Sequence, residues 1–289
     1  MKLHIVMPVI NCIDLTKDAI FSIRYREGSM VHLIDNASTD GTHEWGNAMN
    51  NDTMAGGNIM NYVRNETPKG VAASWNQGIR LAFEDPECKY VAVLNNDILL
   101  HEKTLEHLVS FIDKTGYIMV TGDNIKDRMS IDVMVQQELP KEYTDFDLNE
   151  ISDWRAEGPD FSCFLITRET IDYIGWFDER FEGAYCEDQD YHARINRAWR
   201  WGLEHGEPNP AKMHAKRLST APYFHYASQT LIRNNDLKHS ISTYHGRNQA
   251  YYLQKWGAEH PQVMDGEGNA TPFGDATKSW KDCERWKRK

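Results

Sequence analysis

Apolar residues in the first 122 positions follow two alternating periods. Compact runs at His4–Val9, Val31–Asn36, Asn58–Arg64, Tyr90–Leu94 and Tyr117–Gly122 read as strands. Between them, Leu15–Arg26, Thr42–Asn50, Gly70–Phe83 and Glu102–Asp113 read as helices. In Gly70–Phe83 the positions Val71, Trp75, Ile79 and Ala82 share one helical face. Repeated strand–helix units with apolar strands predict an α/β fold, a mostly parallel central sheet covered on both faces. Right-handed crossovers then bring the strand C-terminal ends to one edge, where open α/β sheets bind ligands.

The second half is less regular. Residues 123–158 are polar and aperiodic and read as a linker or a flexible loop over a cleft. A strand at Phe161–Thr167, helices near 168–174 and 188–201, a strand near Ala221–Tyr226 and a long helix near Asp236–Trp256 follow. Residues 258–277, rich in Gly, Pro and Asp, read as loop.

Composition narrows the class. With 289 residues, 40% hydrophobic and 26% charged, the chain can build a core without disulfides. Its net charge of −11 gives no overall attraction to nucleic acid or anionic lipid. The tail is a local exception: Lys278, Lys281, Arg285, Lys287, Arg288 and Lys289 surround Trp280 and Trp286. It reads either as a solvated end or as a weak surface contact with a membrane or polyanion. No apolar run approaches the ~20 residues of a membrane span, and Met1–Val9 lacks a signal-peptide core. The expected location is cytoplasmic, with the tail the one feature that would make it peripheral to a membrane. Five scattered cysteines without a CxxC pair suit reduced thiols rather than a zinc site. Dinucleotide, P-loop and nucleophile-elbow motifs are absent from the sequence.

Four polar clusters remain. Asp35-Asn36-Ala37-Ser38-Thr39-Asp40-Gly41-Thr42 closes the second strand. Strand-end Asp and Asn can bind a base or ribose, but the same residues also build an ordinary capped turn. Asn95-Asn96-Asp97 ends the strand Tyr90–Leu94, where oxygen ligands suit Mg²⁺ or Mn²⁺ or make a plain turn. Glu187, Asp188 and Asp190 crowd one helix start, offering a general base or a solvated acidic turn. His225 lies between aromatic residues, as a metal ligand or a core histidine.

In this order and spacing, the clusters resemble the inverting glycosyltransferases of family 2, of bacterial or phage type, over roughly residues 3–257. Val6-Met7-Pro8-Val9 looks like that family's first strand, and Asp35–Thr42 is similar to its D-N-x-S-x-D-G-T turn. Asn65–Ala72 followed by Asn76-Gln77-Gly78 resembles the segment under its nucleotide. Asn95-Asn96-Asp97 occupies its variable D-x-D position, and Glu187-Asp188-Gln189-Asp190 its E-D-x-D. Lys255-Trp256-Gly257 ends the long helix as in many bacterial members.

The resemblance implies a GT-A (Rossmann-like) domain over 1–257 with a C-terminal helical extension. Residues 1–122 would bind the nucleotide sugar, 123–257 would supply acceptor binding and catalysis, and 258–289 would be loop and basic tail. It implies an inverting, metal-dependent transfer from a nucleoside-diphosphate sugar, UDP by default, to an acceptor hydroxyl. The acceptor is open among glycan, protein, small molecule and modified nucleic-acid base. Asp188 is the implied catalytic base, supported by Glu187 and Asp190. Asp97 and His225 are the implied ligands of Mn²⁺ or Mg²⁺. Pro8, Val9, Asp35, Asn36, Ser38, Asp40, Lys69, Gly70, Asn76, Asn95 and Asn96 are the implied nucleotide-sugar contacts, Lys69 reaching a phosphate or only solvent. The rival readings are a non-catalytic carbohydrate- or nucleotide-sugar-binding protein and a sugar-nucleotide nucleotidyltransferase. The latter would want a Gly-rich phosphate loop that Val9-Ile10-Asn11-Cys12 does not provide.

Overall fold

Strand β1 (Leu3–Val9) is buried along nearly its whole length, and its side chains divide between two cores. Ile5, Met7 and Val9 enter one, and Val6 enters the other, as the two-residue period of a strand requires. The computed structural model describes residues 2–54, 56–125, 159–204, 206, 210–227, 229–233 and 235–256. Of the loop expected over 123–158, residues 123–125 instead continue a strand that ends at Ile125, and the rest, like the loop and tail expected over 258–289, lies outside the described residues.

The first half follows the expected alternation. β1, α1 (Ile13–Ser22), β2 (Met30–Asn36), α2 (Thr42–Ala48), β3 (Ile59–Asn65), α3 (Val71–Glu84) and β4 (Tyr90–Leu94) form a parallel β3-β2-β1-β4 array. Helix α1 stops short of Arg26 because Ile23 turns extended, with ψ 119°. On one face lie α1 and α4 (Thr104–Thr115), whose Leu105, Leu108, Phe111 and Ile112 fill the first core. On the other face α3 packs Trp75, Ile79 and Ala82 against Val6 and Ile34.

The second half departs from a uniform direction. The eight strands run in the order β3-β2-β1-β4-β7-β6-β8-β5, with β5 (Ile98–Leu100), β6 (Met119–Ile125), β7 (Cys163–Thr167) and β8 (Ala215–His225). β7 pairs antiparallel with both β4 and β6, and β5 pairs antiparallel with β8. The expectation that all strands end at one edge therefore fails for β5 and β7. Strand sense depends on partners far away in the chain, which periodicity does not report. Two further corrections concern length. β5 has three residues, too few to show a period, and the start of β8 is polar (Lys216, Arg217, Ser219, Thr220), so only its apolar end reads as strand.

Helix α5 (Arg168–Ile174) follows β7, and α6 (Glu187–Glu204) packs Tyr191, Ile195 and Ala198 into the second core. After β8 come α7 (Gln229–Arg233) and α8 (Asn235–Trp256). A third, smaller core of Phe181, Cys186, Ala193, Tyr252 and Trp256 fastens the end of α8 to α6. Among the described residues, no helix is long and apolar enough to cross a membrane.

Candidate active site

The carboxyl ends of β1, β2 and β4 open on a cleft of about 920 Å³, within the usual range for small-ligand sites. Backbone strain gathers there. Asn11 and Cys12 after β1, Ala37 after β2, Tyr185 and Cys186 before α6, and Ala227 after β8 all take left-handed φ of 55–78°. Side chains rarely accept this conformation except where the surroundings impose it, commonly at functional sites.

One wall comes from the sheet edge. Pro8, Val9, Asn36, Lys69, Gly70, Asn95, Asn96 and Asp97 all line the cleft. Asn36 is fixed from both ends, donating to Ser74 Oγ at 2.8 Å and accepting from Asn65 Nδ2 at 2.9 Å. Lys69 Nζ donates to Gln77 Oε1 at 3.0 Å. Gly70 is required by crowding: a Cβ there would lie 3.0 Å from the backbone N of Gly183.

Four expected contacts stand behind this wall and hold it. Asp35 has no exposed surface and accepts from Ser38 N (2.9 Å), Tyr62 Oη (2.6 Å) and Arg64 (2.5 Å). Burial pushes its carboxyl up, but these hydrogen bonds outweigh burial and hold it below the ordinary value. A base reaching Asp35 would have to displace Arg64. Ser38 Oγ accepts from Asn11 N, and Asp40 accepts from Ile13 N at the start of α1 and from Thr42 at the start of α2. Asn76 clips α3 to the next segment, donating to Phe177 O at 2.9 Å and accepting from Phe177 N at 3.0 Å.

Asp97 and His225 meet across the sheet. Ile98 pairs with His225 in the β5–β8 register, so the residue before Ile98 arrives beside the imidazole. His225 Nε2 lies 3.0 Å from Asp97 Oδ1, and Ser162 Oγ lies 3.2 Å from His225 Nδ1. The 3.0 Å separation matches the edge of an octahedron with bonds of about 2.1 Å, the Mg²⁺ distance. The N/O donor pair suits Mg²⁺ or Mn²⁺, and the residues present fit such an ion. Among the described residues no third His, Cys, Asp or Glu joins them.

The opposite contribution comes from the start of α6. Glu187 and Asp188 line the same cleft as Asp97. Burial, then the Asp188 charge, pushes Glu187 well above the ordinary carboxyl range. Burial also raises Asp188, with Asp160 adding to it and the Gln189 and Asp188 backbone N–H groups opposing it. Glu187 is 5% exposed, and its Oε2 has no hydrogen-bond partner among the described residues. Asp190 does not reach the cleft. It is fully buried and accepts from Lys255 (2.6 Å), Trp256 Nε1 (2.9 Å) and Arg194 (3.0 Å).

The family model described as glycosyl transferase family 2 matches residues 4–175, more than half of the chain. The chain belongs to glycosyl transferase family 2. The solved structure of S. aureus TarS 1-349 in complex with UDP is similar at 17% identity and TM-score 0.53, over 78% of this chain and 60% of that one. A mannosyltransferase, PcManGT from Pyrobaculum calidifontis in complex with GDP-Man and Mn²⁺, is similar at 15% identity and TM-score 0.52, over 79% and 57%. These likenesses are of fold, and this chain spans about three-fifths of the length of those structures. No curated protein sequence matches it. As a family 2 glycosyl transferase the chain has the GT-A architecture expected from its motifs.

Several cleft residues carried no readable signal. Asp160 and Ser162 flank Phe161 just before β7, and Glu179, Glu182, Tyr185, Arg217 and Tyr244 also line the cleft. Tyr185 and Tyr244 look like ordinary aromatics until α8 folds back onto the loop before α6. Only the excess of acids in the segment 178–190 hinted that this loop faces a site.

Proposed function

We propose that this chain transfers a sugar from a nucleoside-diphosphate sugar to an acceptor hydroxyl with inversion at the anomeric carbon. The observation that carries the reading is that Asp97, His225 and Asp188 line one cleft. The family membership supports sugar transfer, and the UDP and GDP-Man bound to the similar structures support a nucleotide-sugar donor.

Pro8 and Val9 would pack on the base, with Asn36, Asn95 and Asn96 along the sugar–phosphate path. Asp97 and His225 would hold Mn²⁺ or Mg²⁺; when bound, such a cation neutralises charge developing on the leaving diphosphate. Lys69, at the mouth of α3, adds a positive charge on the same wall. Asp188 takes the proton of the attacking hydroxyl, and its burial suits the task because a raised carboxyl is a stronger base. Attack opposite the leaving diphosphate inverts the anomeric centre in one displacement, without a covalent sugar–enzyme intermediate. Proton removal of this kind is worth about 10²–10⁴-fold.

The test is a panel of UDP- and GDP-sugars incubated with the protein and Mn²⁺, with and without EDTA, reading free nucleoside diphosphate. One donor is expected to be consumed, at a rate that falls with EDTA and with Asp188→Asn. Release of nucleoside diphosphate from no donor of the panel, or release indifferent to both EDTA and Asp188→Asn, would overturn the reading.

A further inference from the structure

The turn that delivers Asp188 to the cleft is strained. Gly183, Tyr185 and Cys186 take φ of 65°, 78° and 73° immediately before α6. Two of these carry side chains, so the conformation persists only if neighbours over-determine it.

The neighbour that does so is one buried side chain of α8. Asn248 is 2% exposed. Its Nδ2 donates to the carbonyl oxygens of Glu182 (2.8 Å), Ala184 (3.1 Å) and Tyr185 (2.9 Å), and its Oδ1 accepts from Glu182 N (3.2 Å). Three carbonyls and one N–H settle the orientation of the amide, and no other side chain of this size sets two N–H donors beside a carbonyl acceptor.

Two turns further along α8, Lys255 bridges Asp178 (2.7 Å) and Asp190 (2.6 Å), while Trp256 Nε1 donates to Asp190 (2.9 Å). The same helix therefore grips the turn on its entry side and the first turn of α6 on its exit side. From the donor side, Val71 N donates to Gly183 O at 2.7 Å. Asp188 sits between these fixed points.

We propose that Asn248, assisted by Lys255 and Trp256, is the positioning element that aims the Asp188 carboxyl into the cleft. The last helix thus serves proton removal without touching substrate. This rests on Asp188 being the base. A misplacement near 1 Å by a residue remote from the chemistry can cost about 10²-fold, and buried, fully partnered polar networks are the means by which such positions are held.

The experiment compares Asn248→Ala with Asp188→Asn and wild type. Turnover is read as release of nucleoside diphosphate from the nucleotide sugar the wild type consumes, with water as acceptor. Donor binding is read by titration calorimetry with the matching nucleoside diphosphate and Mn²⁺, where the stoichiometry counts folded sites. For Asn248→Ala the expected result is kcat lower by about 10–100-fold with donor affinity and stoichiometry unchanged. Turnover within twofold of wild type, or a loss of kcat matched by an equal loss of binding sites, overturns the proposal. If Asn248→Ala does not fold, Trp256→Phe keeps an aromatic side chain in the third core and removes the indole N–H that reaches Asp190. A severalfold lower kcat at unchanged affinity then supports the clamp, and unchanged kcat overturns it. Full activity of Asp188→Asn would remove the base assignment, and the clamp with it. An inactive Asp188→Asn beside a fully active Asn248→Ala removes the clamp alone.

Discussion

His225 Nε2 lies 3.0 Å from Asp97 Oδ1 although 128 positions separate them in the chain. The pairing of Ile98 with His225 produces this contact, and the hydrogen bond from Tyr226 N to Asp97 O (2.9 Å) extends it. Two adjacent strand ends thus make a two-residue donor set from a three-residue strand.

Mn²⁺ affinity should report this pair. His225→Ala and Asp97→Ala are each expected to weaken Mn²⁺ binding in the presence of UDP by at least about 10–100-fold, the effect typical of losing even an outer partner. Ser162→Ala, which removes the group facing His225 Nδ1, should cost about tenfold. Electron paramagnetic resonance of free Mn²⁺ measures all three. Affinity equal to wild type in His225→Ala would remove it from the site.

Stability should rise when the acids of the cleft are neutralised. Burial raises Glu187 above its ordinary 4.5. As pH rises from there toward the folded value, the unfolded chain has already released a proton that the native state retains. Stability therefore falls as pH rises through this window. Glu187→Gln is expected to melt with wild type near pH 4.5 and a few degrees higher at pH 7.5. Asp188→Asn should show the same sign while losing about 10²–10⁴-fold in turnover. Differential scanning calorimetry across pH checks both, and a lower melting temperature at pH 7.5 would contradict the burial argument.

Acid should act through two histidines. Burial lowers His32 and His192 from 6.5 to about 4, with the neighbouring His4 adding to the effect at His32. Between about pH 6.5 and 4 the unfolded chain binds protons that the native state refuses. Stability then falls as pH drops through that window, by roughly 1.4 kcal/mol for each unit of separation. Urea unfolding of wild type and His192→Gln at pH 7 and pH 5 should show a smaller acid loss in the variant.

Two helix glycines should respond in opposite directions. A Cβ on Gly78 would lie 2.2 Å from Val6 Cγ1, because α3 packs closely on β1. Gly78→Ala is expected to destabilise by about 1–3 kcal/mol. Gly246, within α8, has nothing among the described residues within 4 Å of a Cβ. Gly246→Ala should stabilise by about 0.5–1 kcal/mol through backbone entropy. Chemical denaturation distinguishes the two.

How far the sequence could be read follows from which interactions are local. The βα alternation up to β4 is written in the spacing of neighbouring residues, so Val71, Trp75 and Ile79 announce their helix. The reversal of β7 and the existence of β5 depend on partners such as Thr167 for Tyr90 and His225 for Ile98, which periodicity does not encode. In the site, Asp97 and Asp188 stand in polar runs at element ends and His225 among aromatic residues, and the structure places all three on one cleft. Asp35 and Asp40 stand in a like run after β2, Asp190 in the run of Asp188 and Asn76 within α3, but the structure places them behind the cleft wall as hydrogen-bonding anchors. Short polar side chains at strand ends serve ligands and turns equally well, so sequence pattern alone does not separate the two uses. Asn248 was invisible because nothing in the exposed-looking pattern of α8 reveals four backbone partners 63–66 residues away.

The most direct measurement of the central claim is the anomeric configuration of the product, followed by proton NMR as the wild type consumes an α-configured nucleotide sugar. Single displacement assisted by Asp188 predicts a first-formed product of β configuration, and none above background with Asp188→Asn. An α-configured product, or undiminished turnover by Asp188→Asn, would contradict it.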